Sequence, residues 1–196
     1  MSKKKYPIRI PRYAAGIRSQ ESRTGGGGRS WWAREWLAAI ERMELGSRLG
    51  RGKNYALSGQ ITAMKLAGPR VEATVVGSRA EPYAVTADFR EPDADARARI
   101  VARLKAEPML VARLLADDLP IEVEQVFRAE GMTLFPGGKL APGKYDVTTR
   151  CSCPDYANPC KHSCAALLIL GEEIAWRPSA LLELRGISME ELCDED

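Results

Sequence analysis

Histidine is nearly missing from this sequence: of 196 residues only His162 supplies an imidazole. Hydrolytic or nucleophilic chemistry that pairs a general base with a nucleophile therefore has one ring to draw on, and none at all if that ring binds a metal. Long apolar runs are missing too. The longest candidate, "CAALLIL" from Cys164 to Leu170, falls well short of the roughly 18–20 residues of a membrane helix, so a soluble chain without membrane association is expected. The basic start, "MSKKKYPIRIPRYAAGIRS", has no apolar block after its charges. It lacks the layout of a secretory signal, and a cytoplasmic location is expected. The glycine run "TGGGGRS" lacks the Gly-Lys-Ser/Thr ending of a phosphate-binding loop, and no strand pattern precedes it.

What is present suffices for a core. The chain is 45% hydrophobic and 28% charged, and its length allows one domain or two small ones. The net charge of +3 hides an uneven distribution: residues 1–55 carry 13 Lys and Arg against 4 Asp and Glu, whereas the remainder is acidic. A basic head precedes an acidic body.

Residues 1–30, with Pro7, Pro11 and four consecutive glycines, read as a flexible basic arm. Next, Trp32, Trp36, Ala39, Ile40 and Met43 recur at helical spacing behind Ser30, a candidate cap, and Gly46 closes the run. From Ser58 to Phe89 three alternating runs, divided by "AGPR" and "GSRAEP", predict an antiparallel meander. A period of 3.6 follows through Ile100, Leu104, Leu110, Val111, Leu114 and Leu115, broken near Pro108, and another helical turn is expected after Pro120. A Gly- and Pro-rich loop leads into "YDVTTRCSC", a short strand, and then into a helix ending at about Gly171 or a little later. Two short helical pieces complete an acidic tail, 177–196. The expected class is α+β: a small antiparallel meander with helices over 31–130, followed by a compact unit of short strands and a helix over 131–176.

Four of the five cysteines and the sole histidine crowd into "CSCPDYANPCKHSC". In a reducing compartment such a cluster points to metal rather than disulfides. Cys151 and Cys153, two apart on a strand end, can face one ion from the same side. Cys160 and His162, again two apart, stand where the loop "PDYANP" enters the helix. Three thiolates and one imidazole suit tetrahedral zinc. Their net charge with zinc is −1, which Arg150, Lys161 and the helix start can moderate. Cys164, four residues beyond Cys160, is either a substitute ligand or a buried structural thiol; Cys193 reads as a bystander. A filled tetrahedron argues for a structural site, since a hydrolytic zinc keeps a position open for water. A nucleobase deaminase would show His-x-Glu before Pro-Cys-x-x-Cys, and this chain has neither. A nuclease built on carboxylates such as Asp117 and Asp118 is the remaining enzymatic reading, and a non-enzymatic protein without a small-molecule substrate is expected.

The order Cys-x-Cys, six residues, Cys-x-His resembles the SWIM zinc finger, and "CSCPDYANPCKH" is similar to its bacterial form, including the Pro, Asp, Asn and Pro of the loop. The resemblance implies Cys151, Cys153, Cys160 and His162 as zinc ligands. Upstream, "SRLGRGKNYALSGQI", "VEATVVGSRAEPYAVTADF" and "DLPIEVEQVFRAEGMTLFP" also resemble bacterial SWIM zinc finger proteins, so that residues 31–176 are covered. The family is associated with Swi/Snf-type helicases. What it implies is a non-enzymatic partner of a DNA-translocating ATPase that binds DNA, protein or both.

For DNA, the candidate contacts are Lys3, Lys4 and Lys5 in the arm, then Arg48, Arg51 and Lys53, with Tyr55 to stack on a base. "RLGRGKNY" reads equally as a turn that orders the meander, with Gly50 and Gly52 supplying unusual backbone angles. The alternative function is a purely protein-binding scaffold with a structural zinc, for which Trp31, Trp32 and Trp36 would be either core or a hydrophobic anchor.

Overall fold

The computed structural model describes residues 11–19, 30–137, 139–141 and 144–194. Lys3, Lys4, Lys5 and the glycine run lie outside them.

Helix α1, Trp31–Glu41, forms at the predicted spacing and buries Ala33, Trp36, Ala39 and Ile40. Ser30 stands at its N-cap position but makes no side-chain cap bond. All three indoles turn inward and donate to backbone carbonyls: Trp31 to Leu119 at 2.9 Å, Trp32 to Ile174 at 3.2 Å and Trp36 to Leu167 at 3.0 Å. Each indole N–H is thus used inside the fold: Trp36 is buried in the core, and Trp31 and Trp32 are half-buried against it.

The segment read as a turn is helix α2, Ser47–Leu57. Gly50 and Gly52 both sit inside it, for different reasons. A Cβ on Gly50 would meet nothing within 4 Å, whereas one on Gly52 would lie 2.6 Å from Cys164 Cβ, because a second helix passes directly against it.

Strands β1 (Ile61–Ala67), β2 (Arg70–Val75) and β3 (Tyr83–Phe89) form the meander. Gly68, at φ +57°, makes the first turn. Alternation along β3 sends Tyr83, Val85, Ala87 and Phe89 inward. The 3.6-period stretch gives α3 (Ala94–Lys105), α4 (Pro108–Leu115) and α5 (Ile121–Ala129), with Pro108 in the first turn of α4 where its missing N–H costs nothing. The Gly- and Pro-rich stretch holds a small hairpin, β4 (Lys139–Ala141) with β5 (Lys144–Tyr145).

Strand β6, Val147–Cys151, does not stand apart in a separate module. It pairs antiparallel with β3, giving one four-stranded sheet of order β1-β2-β3-β6. Helix α6, Lys161–Trp176, crosses the inner face with every residue from His162 to Leu170 buried, and packs against α1 and α2 as well as the sheet. It runs through Gly171 without stopping: a Cβ there would fall 2.5 Å from the Trp36 ring, so the glycine serves close helix packing rather than termination.

The expected acidic tail also enters the core. Within α7 (Ala180–Glu183), α8 (Met189–Cys193) and the turn between them, Ala180, Leu181, Leu182, Leu184 and Ile187 are fully buried. So is Arg185. Its Nε donates to Leu134 O (3.1 Å), Nη1 to Arg90 O (2.8 Å), and Nη2 to Phe135 O (3.0 Å) and Asp146 Oδ2 (2.7 Å). Asp146 Oδ1 accepts in turn from Gly137 N at 2.7 Å. A buried guanidinium is tolerable only when paired and saturated with acceptors in this way. The hub fixes the chain immediately before β6.

The described part of the basic head, residues 11–19, is fastened and not an arm. Arg12 N donates to Gly77 O, Gly16 N to Gly59 O and Ile17 N to Ile61 O, the last at 2.7 Å. Ala14 and Ser19 are buried.

Candidate metal centre

Cys151 ends β6 opposite Val85 of β3, on the face that carries Val147 and Thr149 inward. Two bonds hold the bend after it: Ser152 N donates to Ala84 O and Ala84 N to Ser152 Oγ, both at 3.0 Å. The strand's momentum is thereby broken at Cys153. The loop returns under side-chain control, with Asn158 Nδ2 donating to Thr149 O at 2.7 Å and Thr149 Oγ1 to Asn158 Oδ1. Asp155 Oδ1 accepts from Ala157 N inside the loop. Asn158–Pro159 is cis, and Cys160 then takes the N-cap position of α6. His162 follows within the first turn.

One ligand atom from each of Cys151, Cys153, Cys160 and His162 lies within 4.8 Å of every other. His162 Nδ1 is 3.7 Å from Sγ of both Cys151 and Cys160. Zinc bonds of about 2.3 Å to sulfur and 2.0–2.1 Å to nitrogen, set tetrahedrally, place S and N about 3.6 Å apart. The spacing therefore fits the ion.

Electrostatics agree. The hydrogen bond from the Cys151 thiol holds the Cys160 thiol far below its ordinary value, with His162 and Ser163 adding to the effect. That same hydrogen bond, then burial, pushes Cys151 up, and burial pushes Cys153 up. Without a cation, three thiols this close resist ionising together. A divalent ion at the centre is what would let all three be thiolates together.

Cys164 lies outside the cluster. It is fully buried against Gly52, and burial pushes its thiol up to about 12, as befits an inert structural residue. Cys193 is exposed at the end of α8.

Of the candidate DNA contacts, Arg51 is exposed on α2, Arg48 is half-buried with Nε on Leu45 O, and Lys53 pairs with Glu41 at 3.3 Å. Tyr55 does not belong with them. It is 8% exposed, its ring edge against the His162 imidazole with centroids 5.1 Å apart, so it offers no face to a base. Tyr83 flanks the same imidazole at 4.5 Å. These two tyrosines wall the ligand histidine, a role that strand alternation and helical spacing could place inside but not beside a metal. An aromatic that does face outward close by in the chain is Tyr156, within the metal loop and 99% exposed. Asp118 is paired with Arg113 at 2.7 Å, away from the cluster. Among the described residues no helix is long and apolar enough to cross a membrane.

Comparison with known proteins places this geometry. Residues 144–171 match the SWIM zinc finger family. An uncharacterized protein of Mycobacterium tuberculosis, Rv2102, is 34% identical over 186 residues, covering 95% of this chain and 65% of the relative. The chain thus spans 65% of the length of that relative. No solved structure matches.

Proposed function

For a chain that carries a SWIM zinc finger over residues 144–171, we propose a zinc-stabilised, non-enzymatic module that binds DNA, a Swi/Snf-type helicase partner, or both. The observation that carries the zinc part is the convergence of four donors, three sulfurs and one nitrogen, within 4.8 Å. A tetrahedron filled by protein leaves no position for a reacting water, which supports a structural rather than hydrolytic ion. When bound, zinc supplies a cross-link between the end of β6 and the start of α6. The residues do the rest: Ser152 and Asn158 shape the loop, and Tyr55 and Tyr83 hold the imidazole plane.

DNA binding is supported by exposed Arg51 and Arg79, by half-buried Lys161 at the start of α6, and by fully exposed Tyr156 in the metal loop as a surface on which a base can stack. Lys3, Lys4 and Lys5 would add contacts of the same kind. Fluorescence anisotropy of labelled duplex and single-stranded DNA at several salt concentrations tests it. Binding that weakens steeply with salt, and that falls in Arg51→Ala and Tyr156→Ala proteins, is expected; wild-type affinity in both variants would remove this surface, and no binding even at low salt would remove DNA from the proposal. The scaffold reading would then stand alone, with the ATPase as the ligand to assay.

A further inference from the structure

Every donor in the metal cluster is held by protein groups other than the ion. Cys151 lies in register with Val85 at the end of β6, and the two bonds between Ser152 and Ala84 fix the chain that leads to Cys153. Cys160 caps α6, its carbonyl accepting from Cys164 N at 2.9 Å, and the unbroken buried run from His162 to Leu170 anchors that helix in the core. The rings of Tyr55 and Tyr83 stand against the His162 imidazole. A chain of this size draws its stability from such a core, unlike a small zinc finger, which buries too little apolar surface to fold without its metal.

What remains is to hold the Cys-x-Cys stretch against the Cys-x-His stretch across the eight residues between Cys151 and Cys160. Thr149 and Asn158 do this. Each stands two residues before a ligand cysteine, Thr149 before Cys151 and Asn158 before Cys160. Their bonds are reciprocal, Thr149 Oγ1 donating to Asn158 Oδ1 and Asn158 Nδ2 to Thr149 O at 2.7 Å. Backbone bonds from Arg90 N to Asp146 O and from Ser152 N to Ala84 O flank the β3–β6 ladder. The ladder bonds therefore fall at even-numbered positions of β6, and the Thr149 carbonyl points to the free side of this outer strand. Asn158 takes that carbonyl as a further strand would. Thr149 is 2% exposed, so water is a poor substitute for what Asn158 supplies to its hydroxyl.

We propose that Thr149 and Asn158 are positioning residues of the metal centre, whose clasp closes the loop in the folded, metal-free protein so that zinc enters a preformed site. The proposal rests on the zinc reading, and neither residue belongs to the ligand cluster. A loop already closed spares metal binding the cost of ordering it, and groups that orient ligands from outside the coordination shell change metal affinity by about 10–100-fold.

The test is the zinc affinity of the full chain, measured by competition with a chromophoric chelator, for the wild type, Asn158→Ala, Thr149→Val and Thr149→Ser. Near-UV circular dichroism of each, with and without zinc, reports tertiary structure, and cobalt(II) in place of zinc reports the ligand set through its thiolate charge-transfer and ligand-field bands. The metal-free wild type should keep its near-UV spectrum. Asn158→Ala and Thr149→Val should bind one metal with the wild-type cobalt spectrum at saturation, but at least about tenfold more weakly. Thr149→Ser keeps the hydroxyl and should recover most of the affinity. Asn158 is exposed, so its alanine variant decides the matter should Thr149→Val fail to fold. Residues that only stabilise the fold would lower the melting temperature of the metal-free protein and leave zinc affinity at the wild-type value. That result in both variants overturns the clasp and leaves the zinc reading intact. Loss of the near-UV spectrum from the wild type on zinc removal overturns the preformed site in the same way, whereas a folded wild type that takes up no zinc refutes the zinc reading and the proposal with it.

Discussion

Gly50 and Gly52 lie two residues apart on α2 and should respond to alanine in opposite directions. A methyl on Gly52 would sit 2.6 Å from Cys164 Cβ and 3.2 Å from both Ala165 N and Lys161 O. Carbon atoms in contact prefer about 3.5–4.0 Å, so α2 must retreat from α6 by roughly 1 Å. Overpacking of that kind costs about 1–3 kcal/mol, against a gain of about 0.5–1 kcal/mol from replacing glycine in a helix interior, leaving a net loss of roughly 1–2 kcal/mol. For a chain of this size the melting temperature should fall by about 2–8 °C. Gly50, with nothing within 4 Å, keeps only the helix gain and should rise by about 1–4 °C. Thermal unfolding followed by circular dichroism reads both. Because Lys161 and Cys164 border His162 in the first turns of α6, Gly52→Ala should also yield zinc to a competing chelator more readily than Gly50→Ala. A Gly52→Ala/Cys164→Gly double-mutant cycle isolates the contact: with the Cys164 side chain removed, the alanine should cost less, by a coupling of about 0.5 kcal/mol or more. Equal shifts of the same sign at the two glycines, or an additive cycle, would refute the close approach of α2 to α6.

Two further outcomes follow from buried groups. Arg185→Met strands Asp146 and three carbonyls inside the protein, and should lower stability by about 3–5 kcal/mol in urea unfolding; Arg185→Lys should recover little, because one ammonium cannot reach acceptors spread around a guanidinium. Cys164, with its thiol raised from 9.0 to about 12 in the fold, stabilises the protein fully below pH 9 and loses that contribution as pH climbs towards 12, where the unfolded chain's thiol is already ionised. The wild type should therefore lose stability over that window more steeply than Cys164→Ala; parallel slopes would show the thiol to be less sheltered than its surroundings imply.

The metal site was legible because its signal is local. Cys151, Cys153, Cys160 and His162 fall within one loop, where spacing alone limits the geometry. The meander and α1 were legible through periodicity, and the core role of Trp36 with them. Helix α2 was not, since Gly50 and Gly52 speak for a turn until α6 is known to pass against one of them. Tyr55 misled for the same reason: a tyrosine among basic residues reads as a stacking surface, and only the tertiary arrangement turns it towards His162. Residues 11–19 carry little apolar pattern, being held by backbone bonds to Ala56, Gly59, Ile61 and Gly77 that no side-chain period records. Arg185 had no pattern either, as its partners lie between 39 and 95 residues away in the chain.

Native mass spectrometry of the purified protein beside Cys153→Ser tests the central claim most directly, with melting followed before and after chelation. One zinc per chain in the wild type, lost in the variant and on chelation together with a lower melting temperature, is the predicted result. A variant that keeps its zinc, or a metal-free wild type whose melting a chelator does not change, would contradict the account.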